Sequence, residues 1–184
     1  MRKFVLAGLV VSLLANVAVL QAQEFELPKP QPEHEWLAQL VGEWDVESEA
    51  NFGPGQPSFQ CKGTENVRSL GGFWTVAKGE SDAKGMKVHS VMTLGYDPQQ
   101  KKYVGTWVDS ASNHLWKYEG TLDDTGKVLT LEAEGPNMLA PGTTTKFRDV
   151  IEIKNKDHKV LRSSMQQDDG QWLQFMTANY TRRK

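Results

Sequence analysis

Cysteine is nearly missing from this sequence. Cys61 is the only one in 184 residues, so no intrachain disulfide can form and stability has to come from packing. Metal-ligand spacing is missing as well. The histidines, His34, His89, His114 and His158, stand far apart, and "HEWLA" lacks the second histidine of a His-Glu-x-x-His zinc site. Neither sign of charge accumulates: Lys and Arg total 21 against 23 Asp and Glu, a net charge of −2, with no basic block. Nucleic acid and anionic membrane surfaces are therefore poor partners. No Gly-x-Ser-x-Gly elbow of a hydrolase occurs. "SDAK", residues 81–84, matches Ser-x-x-Lys only by chance, because it sits in a glycine-flanked turn without that motif's partner sequences.

A long apolar run occurs once, from Phe4 to Leu20, behind Arg2 and Lys3 and ahead of "LQAQ" with its small Ala22. That is the order of a cleavable secretory signal peptide. A transmembrane helix needs about 20 apolar residues, and this run is shorter and carries Ser12 and Asn16. No cysteine follows it, which argues against a lipid anchor. Residues 1–22 therefore read as a signal peptide of a periplasmic or secreted protein, with no integral membrane span after cleavage. Residues 23–33, "QEFELPKPQPE", read as a linker, and 34–184 as one domain.

Within the domain, "HEWLAQL" places Trp36, Leu37 and Leu40 at helical spacing, a short helix. The period then changes to two. Trp44, Val46, Ser48 and Ala50 alternate with Glu43, Asp45, Glu47 and Glu49, one face apolar or small and the other acidic. Only a half-buried strand has that pattern. Further strands are expected near 59–68, 72–80, 86–96, 102–109, 113–122, 127–134, 145–154, 158–167 and 171–181, separated by turn sequences such as "SLGG", "YDPQQKK", "DDTGK" and "DDG". About ten short strands joined by hairpin-length turns predict an all-β, antiparallel up-and-down barrel with a short N-terminal helix; a two-sheet sandwich is the alternative.

Two hairpin registers can be written down. A "DPQQKK" turn sets Tyr96 opposite Tyr103, Leu94 opposite Gly105 and Met92 opposite Trp107. A "SASN" turn sets Trp107 opposite Trp116 and Gly105 opposite Tyr118. Both place Met92, Leu94, Trp107, Trp116 and Tyr118 on one concave face, next to Gly105 and Gly120, whose missing side chains are expected to leave space there.

The stretches "LVGEWDVE", "SLGGFW", "LGYDPQQKKYVGTWVDS", "WKYEGTLDDTGKVLTLEAEGP", "KFRDVIEI" and "MTANYTRRK", in that order from about His34 to Lys184, together resemble bacterial domain-of-unknown-function family 1579. That family is similar to the calycin barrels, which include lipocalins and fatty-acid-binding proteins. The resemblance implies a fold and no reaction, substrate or cofactor. By likeness to lipocalins it also implies structural roles for Gly42 and Trp44, with Trp44 closing the barrel floor under Arg182 or Arg183.

Three functional readings stay open. In the first, Met92, Leu94, Trp107, Trp116 and Tyr118 line a cavity for a small apolar or amphipathic ligand, with Arg148 or Arg162 as inward cations. In the second, large side chains plug the barrel and its outer surface does the work. In the third, Ser90, Asp109 and His114, brought to one rim by the same registers, form an activated nucleophile; the ordinary reading is that rim positions are polar because water enters. No cofactor is expected; His89 or His114 is placed where some barrels hold haem, but a lone strand histidine is more often a surface or rim residue. Oligomeric state is not legible. N-terminal sequencing of the exported protein should give a chain beginning near Gln23, and intact Met1 in a membrane pellet would replace export by anchoring.

Overall fold

The computed structural model describes residues 27–51, 57–83 and 85–184; the expected signal segment lies outside them. Leu27 to Gln31 has no regular structure, and helix α1 (Pro32–Ala38) follows. It starts slightly before the sequence pattern suggests, because Pro32 is pre-set for a first helical turn. Ten strands complete the chain: β1 (Gly42–Ala50), β2 (Phe59–Leu70), β3 (Trp74–Ala83), β4 (Met86–Asp97), β5 (Lys102–Asp109), β6 (Trp116–Leu122), β7 (Val128–Pro136), β8 (Thr144–Asn155), β9 (His158–Gln166) and β10 (Trp172–Arg182). Each pairs antiparallel with its neighbour in sequence, and β1 also pairs with β10, so the sheet closes into an up-and-down barrel. No described helix is long and apolar enough to cross a membrane.

Both hairpin registers hold: Met92 pairs with Trp107, Leu94 with Gly105 and Tyr96 with Tyr103, then Gly105 with Tyr118 and Trp107 with Trp116. The strand expected from residue 113 begins only at Trp116. In the connection before it, Asp109 Oδ1 accepts from the Ala111 N–H at 2.6 Å and Ser112 Oγ from the His114 N–H at 3.1 Å. Such local bonds compete with the ladder and end pairing early.

Gly105 and Gly120 do not leave room for a ligand. A Cβ on Gly105 would lie 1.9 Å from the Thr93 carbonyl oxygen and 2.9 Å from Leu94 Cδ2. One on Gly120 would lie 2.1 Å from the Thr130 carbonyl oxygen and 2.8 Å from Leu131 Cδ2. These glycines let neighbouring strands approach at a sharp bend, and leucines already fill the space above them.

One end of the barrel is sealed. Helix α1 lies across it with Trp36, Leu37 and Leu40 buried. The Trp36 indole N–H donates to the Gly126 carbonyl at 2.9 Å, and the Tyr103 hydroxyl to the Glu33 carbonyl at 3.1 Å. His34 is structural here: its Nδ1 accepts from the Gln31 N–H at 2.9 Å and its ring packs edge-on against Phe73 and Tyr96. Beneath the helix, Trp44 is 1% exposed and donates from Nε1 to the Leu40 carbonyl at 2.9 Å. Arg182, not Arg183, lies over its ring, 4.1 Å from the centroid. The Arg182 guanidinium donates to the carbonyls of Val41 (2.6 Å), Lys156 (2.8 Å) and Gln39 (3.0 Å). Gly42 makes this possible, since its φ of +138° suits glycine and a Cβ there would sit 2.1 Å from Arg182 Nη1. Arg183 instead pairs outside with Asp45.

Trp44→Ala should cost about 3–5 kcal/mol, the usual penalty for truncating a buried aromatic. A thermal melt displaced by less than about two degrees would show that the floor does not depend on this ring.

Candidate functional site

The register from Trp44 outward decides which residues face the interior. On β1 they are Trp44, Val46, Ser48 and Ala50; their partners on β2 are Glu65, Gly63, Cys61 and Phe59. On β10 the partners are Arg182, Tyr180, Ala178 and Met176. Tyr180 in turn faces Lys159 of β9, and Ser163 of β9 faces Asp149 of β8. Two acidic residues and a lysine thus point inward from strands whose other faces are also polar.

The interior is uneven. Inward side chains of β6 to β8, among them Tyr118, Leu129, Leu131 and Ile151, are buried in one cluster, and Phe147 is buried against Trp116. On the opposite wall, Val46, Ser48, Ala50, Cys61, Ala77, Met92, Leu161 and Tyr180 point inward yet stay partly accessible. One half of the barrel is filled and the other is open towards the rim away from α1. Around that rim stand exposed Phe59, Met86, Leu115, Met138 and Leu139.

At the bottom of the open half lies a cavity of about 30 Å³, room for roughly two waters. Its walls are Leu40, Val67, Thr75, Ala77, Met92, Leu94, Ile151, Val160 and Leu161, with Glu65, Lys159 and Tyr180 as the charged and phenolic members. Lys159 Nζ donates to Glu65 Oε1 at 2.7 Å and stands 4.4 Å from the Tyr180 ring centroid and 4.8 Å from that of Trp44. Lys159 is only 6% exposed. Burial pushes its ammonium pKa down, and the adjacent Glu65 carboxylate opposes that shift. The Tyr180 phenol is pushed well up by burial, then by the nearby carboxyls of Glu65 and Asp149. Its hydroxyl has no hydrogen bond among the described residues, and Tyr180 is one of the residues lining the cavity.

A second polar cluster sits on the packed side. The Tyr118 hydroxyl donates to Asp149 Oδ2 at 2.6 Å, and Ser163 also hydrogen-bonds the carboxyl. Burial pushes the Asp149 carboxyl up, against the downward pull of these two bonds. Asp149 keeps slight accessibility, but it faces the barrel interior, where little water is present to hydrate an anion. Burial next to Asp149 likewise pushes the Tyr118 phenol up.

Met92 and Leu94 border the cavity; Trp107, Trp116 and Tyr118 face inward but are not among its walls. Arg148 and Arg162 point outward. The first pairs with Glu132 at 2.6 Å and stacks on Trp172, and the second pairs with Glu152 at 2.9 Å. The inward cation is Lys159 instead. Ser90 and Asp109 are cross-strand partners at the open rim, but no hydrogen bond joins them to each other or to His114 among the described residues. Asp109 is engaged by its own turn, and His114 Nε2 contacts the Glu134 carbonyl at 3.2 Å while its ring packs on Trp116. His89 is on the outer face, 3.6 Å from Glu80. Among the described residues no three His, Cys, Asp or Glu side chains converge as a metal site.

These features define a ten-stranded, closed up-and-down β-barrel with a half-packed interior and a charged pocket at its floor. The chain belongs to the family described as "Protein of unknown function (DUF1579)", whose pattern matches residues 29–182. No curated protein matches it. Among solved structures, Rv2717c from M. tuberculosis is 16% identical, with 85% of this chain and 100% of that one aligned at a TM-score of 0.59, a likeness of fold. Two structures bound to DFHBI are more distant. The redesigned barrel mFAP0 is 10% identical over 78% of this chain and 99% of its own, at a TM-score of 0.44. EF1p2_mFAP2b is 11% identical over 82% and 99%, at 0.45.

The folded state raises the Asp149 carboxyl above its ordinary value, chiefly through burial. Its contribution to stability is therefore full below the ordinary carboxylate range and is lost as pH rises through the elevated folded value. Urea melts should show the wild type losing stability relative to Asp149→Asn as pH rises above the ordinary carboxylate range. Parallel pH profiles for the two proteins would place the carboxyl outside this account.

Proposed function

We propose that this is an exported binding protein that takes a small apolar or amphipathic molecule into the open half of its barrel. The supporting observation is the pairing of a partly accessible inner wall (Val46, Ala77, Met92, Leu161) with a floor where Tyr180 carries an unpaired hydroxyl beside Glu65 and Lys159. The floor cavity has the size of a head group, and the tail lies above it, towards the apolar rim residues. Large apolar walls with a few convergent polar groups are the usual makeup of a ligand site.

Magnitudes agree with modest affinity. Burying about 400 Å² of apolar ligand surface contributes on the order of 10 kcal/mol. Association removes at least about 4 kcal/mol of that, leaving tens of micromolar. Two hydrogen bonds at the floor, about 1 kcal/mol each, bring the dissociation constant to about a micromolar. The hydrolytic reading has no such support, since Ser90, Asp109 and His114 are not joined.

Titration with medium-chain amphiphiles should change tryptophan emission saturably at low micromolar concentration, Trp107 facing the interior and Trp44 lying under the floor. Ala77→Leu, which fills the cavity from β3, should weaken binding about tenfold or more while the barrel stays folded by circular dichroism. Emission unchanged up to about millimolar ligand would favour the plugged barrel.

A further inference from the structure

Every inward cation of the described barrel is already engaged. The Lys159 ammonium donates to Glu65 at 2.7 Å and faces the rings of Tyr180 and Trp44. Arg182 spends its guanidinium on the carbonyls of Gln39, Val41 and Lys156, behind the floor. Arg148 and Arg162 are bound to carboxylates outside the barrel. The floor pocket therefore carries a balanced ion pair and no spare positive charge. Beyond the Lys159 N–H groups that face the Tyr180 and Trp44 rings, two further groups are unengaged. Only Oε1 of Glu65 is used by Lys159, so Oε2 remains as an acceptor, and the Tyr180 hydroxyl, without a hydrogen bond among the described residues, remains as a donor in the pocket wall.

We propose that the floor pocket selects a neutral head group that donates one hydrogen bond and accepts another, a primary alcohol or primary amide, and rejects a carboxylate. This rests on the barrel interior being a binding site. The ligand's O–H or N–H donates to Glu65 Oε2, and its oxygen accepts from the Tyr180 hydroxyl. A carboxylate would stand beside Glu65 in a poorly hydrated pocket whose one cation is already neutralised, and like charges there are costly. A carbonyl or ether oxygen lacking a donor satisfies Tyr180 and leaves Glu65 Oε2 dehydrated and unpaired. Thr75, the other polar residue of the wall, does not alter this balance: its hydroxyl is buried and 3.5 Å from the Leu94 carbonyl.

The test compares decanol, nonyl methyl ether and decanoate on the full chain by calorimetry. Decanol and the ether have equal numbers of heavy atoms, so an indifferent apolar pocket would hold the ether at least as tightly. The expectation is that decanol binds about tenfold tighter than the ether and decanoate is weakest. Glu65→Gln strips Lys159 of its counter-ion, so decanoate should gain about tenfold there and the preference for decanol over the ether should shrink. Tyr180→Phe should weaken decanol and the ether alike, by about fivefold; it decides the matter if Glu65→Gln does not fold. Ether or decanoate binding the wild type as tightly as decanol overturns the head-group assignment while leaving the binding role intact, and so does a Tyr180→Phe protein with undiminished affinity for decanol. If none of the three binds, the binding role fails and this assignment with it.

Discussion

The stack of Arg182 on Trp44 is the contact from which the rest of the barrel can be built. It joins the last strand to the first, and the Trp44 N–H to Leu40 joins the first strand to the helix that seals the floor. Lys159 approaches the same indole. A cation over a desolvated tryptophan contributes up to about 2 kcal/mol, and here two cations share one ring. Without the ring, the carbonyls of Val41 and Gln39 would lose the geometry that holds Arg182. Water would then reach the Glu65–Lys159 pair from below, where it is now screened. The charged pocket is thus a product of the closure and could not exist in an open sheet.

The uneven filling follows from where the sequence puts bulk. Strands β6 to β8 send Tyr118, Leu129, Leu131, Phe147 and Ile151 inward, enough to reach across half a small barrel. Between the floor residues Trp44, Glu65 and Val67 and the rim residue Phe59, strands β1 to β3 send in mostly small side chains: Val46, Ser48, Ala50, Cys61, Gly63, Ala77 and Gly79. One wall is a packed core that fixes the shape, and the other is a smooth surface with little side chain to move aside. A binding role needs both, a rigid scaffold and a side against which a guest can lie.

Much of the fold was legible in the sequence because alternation is a local signal. The β4–β5–β6 registers followed from assumed turn lengths and the aromatic pattern, which set Tyr96 opposite Tyr103 and Trp107 opposite Trp116. The site was not legible, for physical reasons that can be named. Glu65 lies in "CKGTENV", where both faces are polar and the preceding connection is too long to set a register. Lys159 follows a turn next to a register shift between Ile153 and Asn155, so counting by twos through "KNKD" fails. The same shift hid the outward direction of Arg162. Gly105 and Gly120 look alike in sequence whether a glycine leaves a void or allows close approach, and only the neighbouring leucines tell which. The one available hint was that a lysine alternating with Leu161, Ser163 and Met165 shares their face.

Because β1 pairs with both β2 and β10, this sheet has no free edge. The consequence for assembly of the fold is temporal. Local hairpins can form as soon as both their strands exist, but the seam joins residues near 44 to residues near 182, almost the whole domain apart. Contacts of such sequence separation are slow to form. Until the last strand arrives, β1 presents an unpaired row of backbone groups, which is the kind of template that recruits other chains. Its outward row of Glu43, Asp45, Glu47 and Glu49 makes that waiting edge repel its own copies. The acidic stripe, idle in the finished barrel apart from a few surface ion pairs, guards the seam during the interval before it shuts.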